Sequence, residues 1–203
     1  MDAKTDLSMF DLLQAQKESW SPSGLSYQER RAHLLALDKG FREHHQAFID
    51  AVSADFGHRP AQETLLGDLF IVHEEIKHIL RNLRVWMRSR PAHTDWKFLP
   101  ARAWVQNQPV GVVGIISPWN YPINLALAPL AAALAAGNHV MIKPSEMTPR
   151  TSELLQSFLA KIFPQTQVAV ITGGADVAAR FSTLPFDHLL FTGSTNVGRK
   201  VMA

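Results

Sequence analysis

From Val110 onward, short β-branched or apolar runs alternate with helical stretches, and this alternation constrains the fold more than any other feature of the chain. Residues 110–116 (Val-Gly-Val-Val-Gly-Ile-Ile) have the length and branching of a buried strand. A helix is expected over 124–136, closing at Gly137, then a strand over 139–143 and a helix over 149–163. A third strand over 167–172, a helix over 175–184, a fourth strand over 188–192 and a helix opening near Thr195 complete the pattern. No hairpin signal interrupts it, so the strands are expected to run parallel in β-α-β units. The predicted fold class is α/β: an incomplete doubly wound parallel sheet preceded by a helical N-terminal segment.

The dividing point falls near residue 97, giving segments 1–97 and 98–203. In the first, Leu7, Phe10, Leu13 and Ala15 set a helical stripe that ends at Ser21-Pro22-Ser23-Gly24. Ser26 followed by Glu29 is a capping-box pattern opening the run through Ala32, Leu34, Leu35 and Leu37. Residues 41–56 are a further helix, stopped at Gly57, where the absence of Cβ permits a left-handed cap. A long amphipathic helix spans 61–87, with Leu65, Leu69, Ile76, Leu80 and Leu83 inward, and is halted by Pro91. Residues 104–108 alternate with polar side chains and are expected as an extra strand at an edge or an oligomer contact.

Composition removes several functions. Lys+Arg 20 against Asp+Glu 18 gives a net charge of +2, too balanced for a chain whose main partner is nucleic acid. A hydrophobic content of 46% fits a cored globular protein and not a disordered tail. There is no cysteine, which excludes a disulfide framework, a thiolate metal site and a cysteine nucleophile within these residues. The N-terminus carries acids and no apolar core, unlike a secretory signal, and the longest apolar stretch, 125–137, is too short for a bilayer. The expectation is a cytoplasmic protein with no nucleic-acid or membrane partner and no metal.

Four constellations carry candidate chemistry. His73-Glu-Glu-Ile-Lys-His78 looks like a zinc-protease helix, but its histidines are five apart, about 140° around the axis, so a solvated face is expected. His44-His45 likewise reads as exposed. Gly193-Ser194-Thr195-Asn196-Val197-Gly198 follows a strand and opens a helix, where free backbone N–H groups receive a phosphate; Thr195 stands where the usual dinucleotide motif has glycine, and two glycines at such a turn can be simple punctuation. Ser117-Pro-Trp-Asn-Tyr-Pro122 sits at a strand's carboxyl end, where its prolines and aromatics would hold the Asn120 amide in a fixed direction as an oxyanion donor. Asn120 could equally be a turn residue bonding its own backbone. Lys143-Pro-Ser-Glu146 ends the next strand and would bracket ribose hydroxyls, or form a surface pair. The last three motifs, weak singly, would all line one rim of one sheet.

The runs QPVGVVGIISPWNYPINLALAPLAAALAAGNHVMIKPSEMTPRTSELL and LPFDHLLFTGSTNVGRKVM resemble the Rossmann-like NAD-binding region of the aldehyde dehydrogenase superfamily, from about Phe98 to the end. PWN, KPSE and FTGSxxVG in that order are specific together. ADFGHRP…ET and VWMR in the first half are similar to the branch holding coniferyl aldehyde dehydrogenase and the dimeric class-3-like enzymes.

The resemblance implies roles residue by residue. Asn120 matches the oxyanion asparagine; Ile116 and Trp119 match positions bordering the cofactor. Lys143, Ser145 and Glu146 match the segment holding the adenosine ribose, and the Glu146 carboxylate favours NAD over NADP by repelling a 2′-phosphate. Gly174 falls where the adenine pocket begins, Gly193 and Ser194 match the pyrophosphate contact, and Gly198 lets the following helix pack closely. The family's cysteine nucleophile and glutamate base lie beyond the FTGS helix, so the chain is expected to be an N-terminal fragment, inactive alone and prone to aggregate. Its parent would oxidise an aromatic or medium-chain aldehyde as a homodimer. A non-catalytic nucleotide-binding or interaction module, and a semialdehyde or acyl-CoA-forming dehydrogenase, are the alternatives.

Overall fold

A computed structural model describes residues 3–21 and 24–203, the side chains of residues 3–8 excepted. The predicted turn residues Pro22 and Ser23 and the Leu7 side chain lie outside what is described. Helices α1 (Ala3–Ser19), α2 (Tyr27–Glu43), α3 (His45–Phe56), α4 (Ala61–Thr64) and α5 (Phe70–Trp86) make up the first segment. A two-stranded ribbon follows, β1 (Arg90–Ala92) antiparallel to β2 (Ala103–Val105). Then come β3 (Val112–Ile116), α6 (Asn124–Ala136), β4 (His139–Lys143), α7 (Pro149–Ile162), β5 (Val168–Val170), α8 (Ala175–Ser182), β6 (His188–Phe191) and α9 (Thr195–Met202). The main sheet has the order β5-β4-β3-β6, with every neighbouring pair parallel. The α/β class and the strand–helix alternation predicted from the sequence are thus observed.

Alternation along the strands sorts the core into two layers. Val113, Ile115, Val140, Ile142, Val168 and Val170 join the cluster formed with α2, α3, α5, α6 and α7. Val112, Ile116, Met141 and Ala169 point the other way, onto Met9 and Leu13 of α1 and Val177 and Phe181 of α8. Burying each such side chain contributes about 1.5–3 kcal/mol against its exposed state, so the sheet is stabilised from both faces. Asn138 and Asp187 then fix the start of β3: Asn138 Oδ1 accepts the N–H groups of Val110 and Gly111, and Asp187 Oδ2 that of Val112.

Several sequence expectations need correcting. Phe10 is exposed, and the buried line of α1 runs through Met9, Leu13 and Gln16, whose amide donates to the carbonyls of Val140 and Gln165. The Ser26–Glu29 capping box is present, but α2 runs on to Glu43 and breaks at His44. Within α2, a Cβ at Gly40 would lie 2.9 Å from Ile162, so the glycine lets α2 and α7 approach. The helix over 61–86 contains a π-helical turn at Leu65–Leu69. It ends at Trp86, ahead of Pro91, which pairs with Trp104 in the ribbon. The ribbon also replaces the strand expected over 104–108. His73 is not solvated: its Nδ1 lies 2.6 Å from Asp38 Oδ1 of α2. His44 and His45 are half-buried against aromatic rings, Phe158 and Phe41 respectively. Among the described residues no three metal-ligating side chains converge, and no helix is long and apolar enough to cross a membrane.

Candidate functional site

The sheet register places three strand ends side by side. Ile116 stands opposite Lys143 on one flank and Phe191 on the other. The ladder continues one residue further, with Ser117 N–H donating to the Lys143 carbonyl and Thr192 N–H to that of Ile116. Beyond that point the three chains diverge, and a cleft of about 470 Å³ opens between them. Carboxyl-end crevices of parallel strands are where such sheets bind ligands.

Ile116, Trp119, Lys143, Ser145, Glu146, Gly193 and Ser194 all line this cleft. The Lys143 side chain is only 1% exposed; its Nζ donates to the Pro144 carbonyl at 2.7 Å and lies 3.6 Å from Glu146 Oε2. Burial pushes the lysine pKa down, opposed by the Glu146 carboxylate. Ser194 is the N-cap of α9, its hydroxyl accepting the Val197 N–H. The first N–H groups of an α-helix have no intrahelical acceptor and favour an anion. Gly174 is the N-cap of α8, one residue before the cleft-lining Ala175. Gly198 does not line the cleft; it faces the Phe191 ring, which a Cβ would approach to 3.3 Å.

Asn120 lies beside the cleft, in an adjoining hollow with Phe56, Arg59 and Tyr121; Trp119 borders both. Its side chain is exposed and makes no hydrogen bond among the described residues, so it does not close onto its own backbone as a turn asparagine would. The loop carrying it is fastened from the helical segment. Arg59 Nη1 donates to the Asn120 carbonyl, and Asp68 Oδ1 accepts the N–H groups of Ile123 and Asn124 at the start of α6. Burial holds the Asp68 carboxyl at about 6, against the opposing pull of the Asn124 N–H and Arg59.

Sequence reasoning missed Arg59, Asp68 and Ser117. The His-Arg-Pro run containing Arg59 stood out only as a branch signature, and nothing local distinguishes Asp68 from an ordinary helix acid. Ser117 Oγ is buried on the cleft wall without a hydrogen-bond partner among the described residues. A nucleotide suits this donor set: a lysine–glutamate pair and Ser117 on one side, the start of α9 on the other, and Ala175, Ala178 and Val197 as apolar wall between.

Comparison with known proteins identifies the family. Residues 9–203 match the model of the aldehyde dehydrogenase family. A probable coniferyl aldehyde dehydrogenase of Pseudomonas aeruginosa is 49% identical over 86% of this chain and 37% of its own length. The aldehyde dehydrogenase family 3 member B1 of Bos taurus is 39% identical over 85% of this chain and 37% of its own. Among solved structures, the substrate-bound state of Staphylococcus aureus AldH superimposes with a TM-score of 0.84 at 30% identity, covering 98% of this chain and 42% of that one. The chain therefore spans less than half the length of the relatives it matches.

Proposed function

Because this chain belongs to the aldehyde dehydrogenase family, we propose that it supplies the dinucleotide cleft and the oxyanion donor for NAD-dependent oxidation of an aldehyde to a carboxylate. One observation supports this above others: Ile116, Lys143 and Phe191 are brought into register at one rim, with the loop of Asn120 beside them. NAD, when bound, supplies the hydride acceptor.

The chain's own residues bind and orient. Lys143, Ser145 and Glu146 take the adenosine ribose, with the charge of Glu146 disfavouring a 2′-phosphate and so NADP. Gly193, Ser194 and the first N–H groups of α9 take the pyrophosphate, while Gly198 keeps α9 close to β6. Gly174 opens the adenine side, and Ile116 and Trp119 border the cofactor. The Asn120 amide donates to the aldehyde oxygen as it gains negative charge, a contribution of about 10²–10³ in kcat for one such donor. In this reading residues 1–97 are the helical segment of the nucleotide-binding region and 98–203 its first part.

The substrate is an aromatic aldehyde such as coniferyl aldehyde, the protein is cytoplasmic, and a homodimer forms through the exposed ribbon. With no cysteine to attack the aldehyde, the 203-residue chain alone is expected to be inactive. The test is a chimera in which residues 1–203 replace the matching part of the Pseudomonas aeruginosa relative. NADH formation dependent on coniferyl aldehyde is expected; a folded chimera that forms none contradicts the assignment.

A further inference from the structure

The loop holding Asn120 is gripped by the chain between Phe56 and Asp68, and Arg59 is at the centre of that grip. Its side chain is 4% exposed, with Nη2 3.1 Å from Glu63 Oε1 and Nη1 2.7 Å from the Asn120 carbonyl. The guanidinium carbon sits 4.8 Å from the centroid of the Phe56 ring and 4.6 Å from that of Tyr121. A planar cation between two rings, bonded along its edge to a carboxylate and a carbonyl, has little freedom to move. A flexible ammonium offers the charge without the fixed fork.

Two further contacts make the grip directional. Asp68 Oδ1 holds the N–H groups of Ile123 and Asn124, so the loop is fastened on both sides of Tyr121. Gly67 leaves room for the Tyr121 ring, since a Cβ there would lie 2.5 Å from it. Among the described residues the Asn120 amide itself has no hydrogen bond to aim it. Its direction is inherited from its backbone, and Arg59 is the side chain bonded to that backbone.

We propose that Arg59 is a positioning residue for the aldehyde reaction: by holding the Asn120 carbonyl, it aims the Asn120 amide at the site of the developing oxyanion. This rests on Asn120 acting as the oxyanion donor. A donor set in place before the reaction contributes more than one that must reorganise, and a misplacement of about 1 Å can cost on the order of 10²-fold in rate. Charge-assisted bonds of the Arg59–carbonyl kind are strong enough to hold such a setting.

The experiment uses the chimera described above, with Asn120→Ala, Arg59→Met, Arg59→Lys and the double variant Arg59→Met/Asn120→Ala. Arg59→Met should lower kcat by about 10- to 100-fold, with the Kd for NAD within about twofold, and Arg59→Lys should recover part of the loss. In the Asn120→Ala background Arg59→Met should change kcat little, because the group it aims is gone. An equal loss in both backgrounds would assign Arg59 a merely structural role and overturn the proposal, as would a kcat for Arg59→Met within about twofold of the parent while Asn120→Ala is slowed. If Asn120→Ala is itself unslowed, the oxyanion reading fails and the proposal with it. A readout free of turnover uses the 203-residue chain: the backbone N–H order parameter of Tyr121, whose peptide group includes the Asn120 carbonyl held by Arg59, should fall below about 0.6 by NMR in Arg59→Met. An unchanged order parameter would overturn the proposal even if the chimera variants do not fold.

Discussion

Lys143 and Glu146 face each other across 3.6 Å at the mouth of the cleft, the lysine sealed from solvent and the glutamate 43% exposed. In the proposed cofactor site the glutamate is therefore the partner placed to meet the ligand. A 2′-phosphate entering here would meet a carboxylate only partly neutralised by its lysine. Glu146→Gln should therefore raise the affinity for NADP relative to NAD by on the order of tenfold, about 1.4 kcal/mol. Calorimetric titration with both nucleotides measures this, and an unchanged ratio would remove Glu146 from the ribose site.

Asp68 gives a pH dependence with a definite sign. Its carboxyl is held at about 6 in the fold, against 3.8 for the free side chain, chiefly by burial. The fold thus prefers the protonated form: that contribution is complete below 3.8 and is lost as the pH rises through about 6. At 1.36 kcal/mol per unit the loss is about 3 kcal/mol. In urea unfolding, the stability of the native chain relative to Asp68→Asn should fall by that order between pH 4 and pH 7. His33, His45 and His139, held below their usual 6.5 by burial, act in the opposite sense, losing stability as the pH drops, but they cancel in this difference. A difference that does not vary with pH would contradict the account.

Gly67 is a sharp test of the packing under the Asn120 loop. On helix propensity alone, Gly67→Ala should stabilise by about 1 kcal/mol. The clash with the Tyr121 ring predicts the reverse, a loss of roughly 1–3 kcal/mol. Trimming the ring in Gly67→Ala/Tyr121→Leu should recover part of it. Chemical denaturation of the single variant decides the sign.

The ribbon exposes large apolar side chains. Trp104 is 64% exposed, and Trp96 and Phe98, in the segment joining β1 to β2, are also open to solvent. An unpaired ribbon edge with exposed tryptophans invites pairing with a second copy. Sedimentation velocity should show self-association that Trp104→Lys reduces. Identical monomer behaviour in both would take the ribbon out of the interface.

What was legible in the sequence, and what was not, follows from the range of each interaction. The strands at 112–116 and 139–143 announce themselves as branched apolar runs, and their carboxyl ends mark the cleft before any coordinates are known. The packing role of Gly40 was not legible, because a glycine that ends a helix and one that admits a neighbouring helix look the same in one dimension. β1 is three residues long and includes Pro91, so it carries no strand pattern of its own and exists through its pairing with β2. Arg59 and Asp68 were out of reach for the same reason. Their partners, the Asn120 carbonyl and the Ile123 and Asn124 N–H groups, are backbone atoms more than fifty residues away.

The central claim is that the cleft between β3, β4 and β6 holds a nicotinamide dinucleotide, and isothermal titration of NAD into the 203-residue chain tests it most directly. The expected result is saturable one-to-one binding with a Kd of about 1 mM or tighter, weakened about tenfold or more by Lys143→Met. Because Glu146 is 43% exposed, Lys143→Met leaves no buried unpaired charge, and a parallel thermal unfolding of the variant separates lost binding from lost structure. No heat of binding at millimolar NAD, or an affinity that Lys143→Met leaves unchanged, would contradict it.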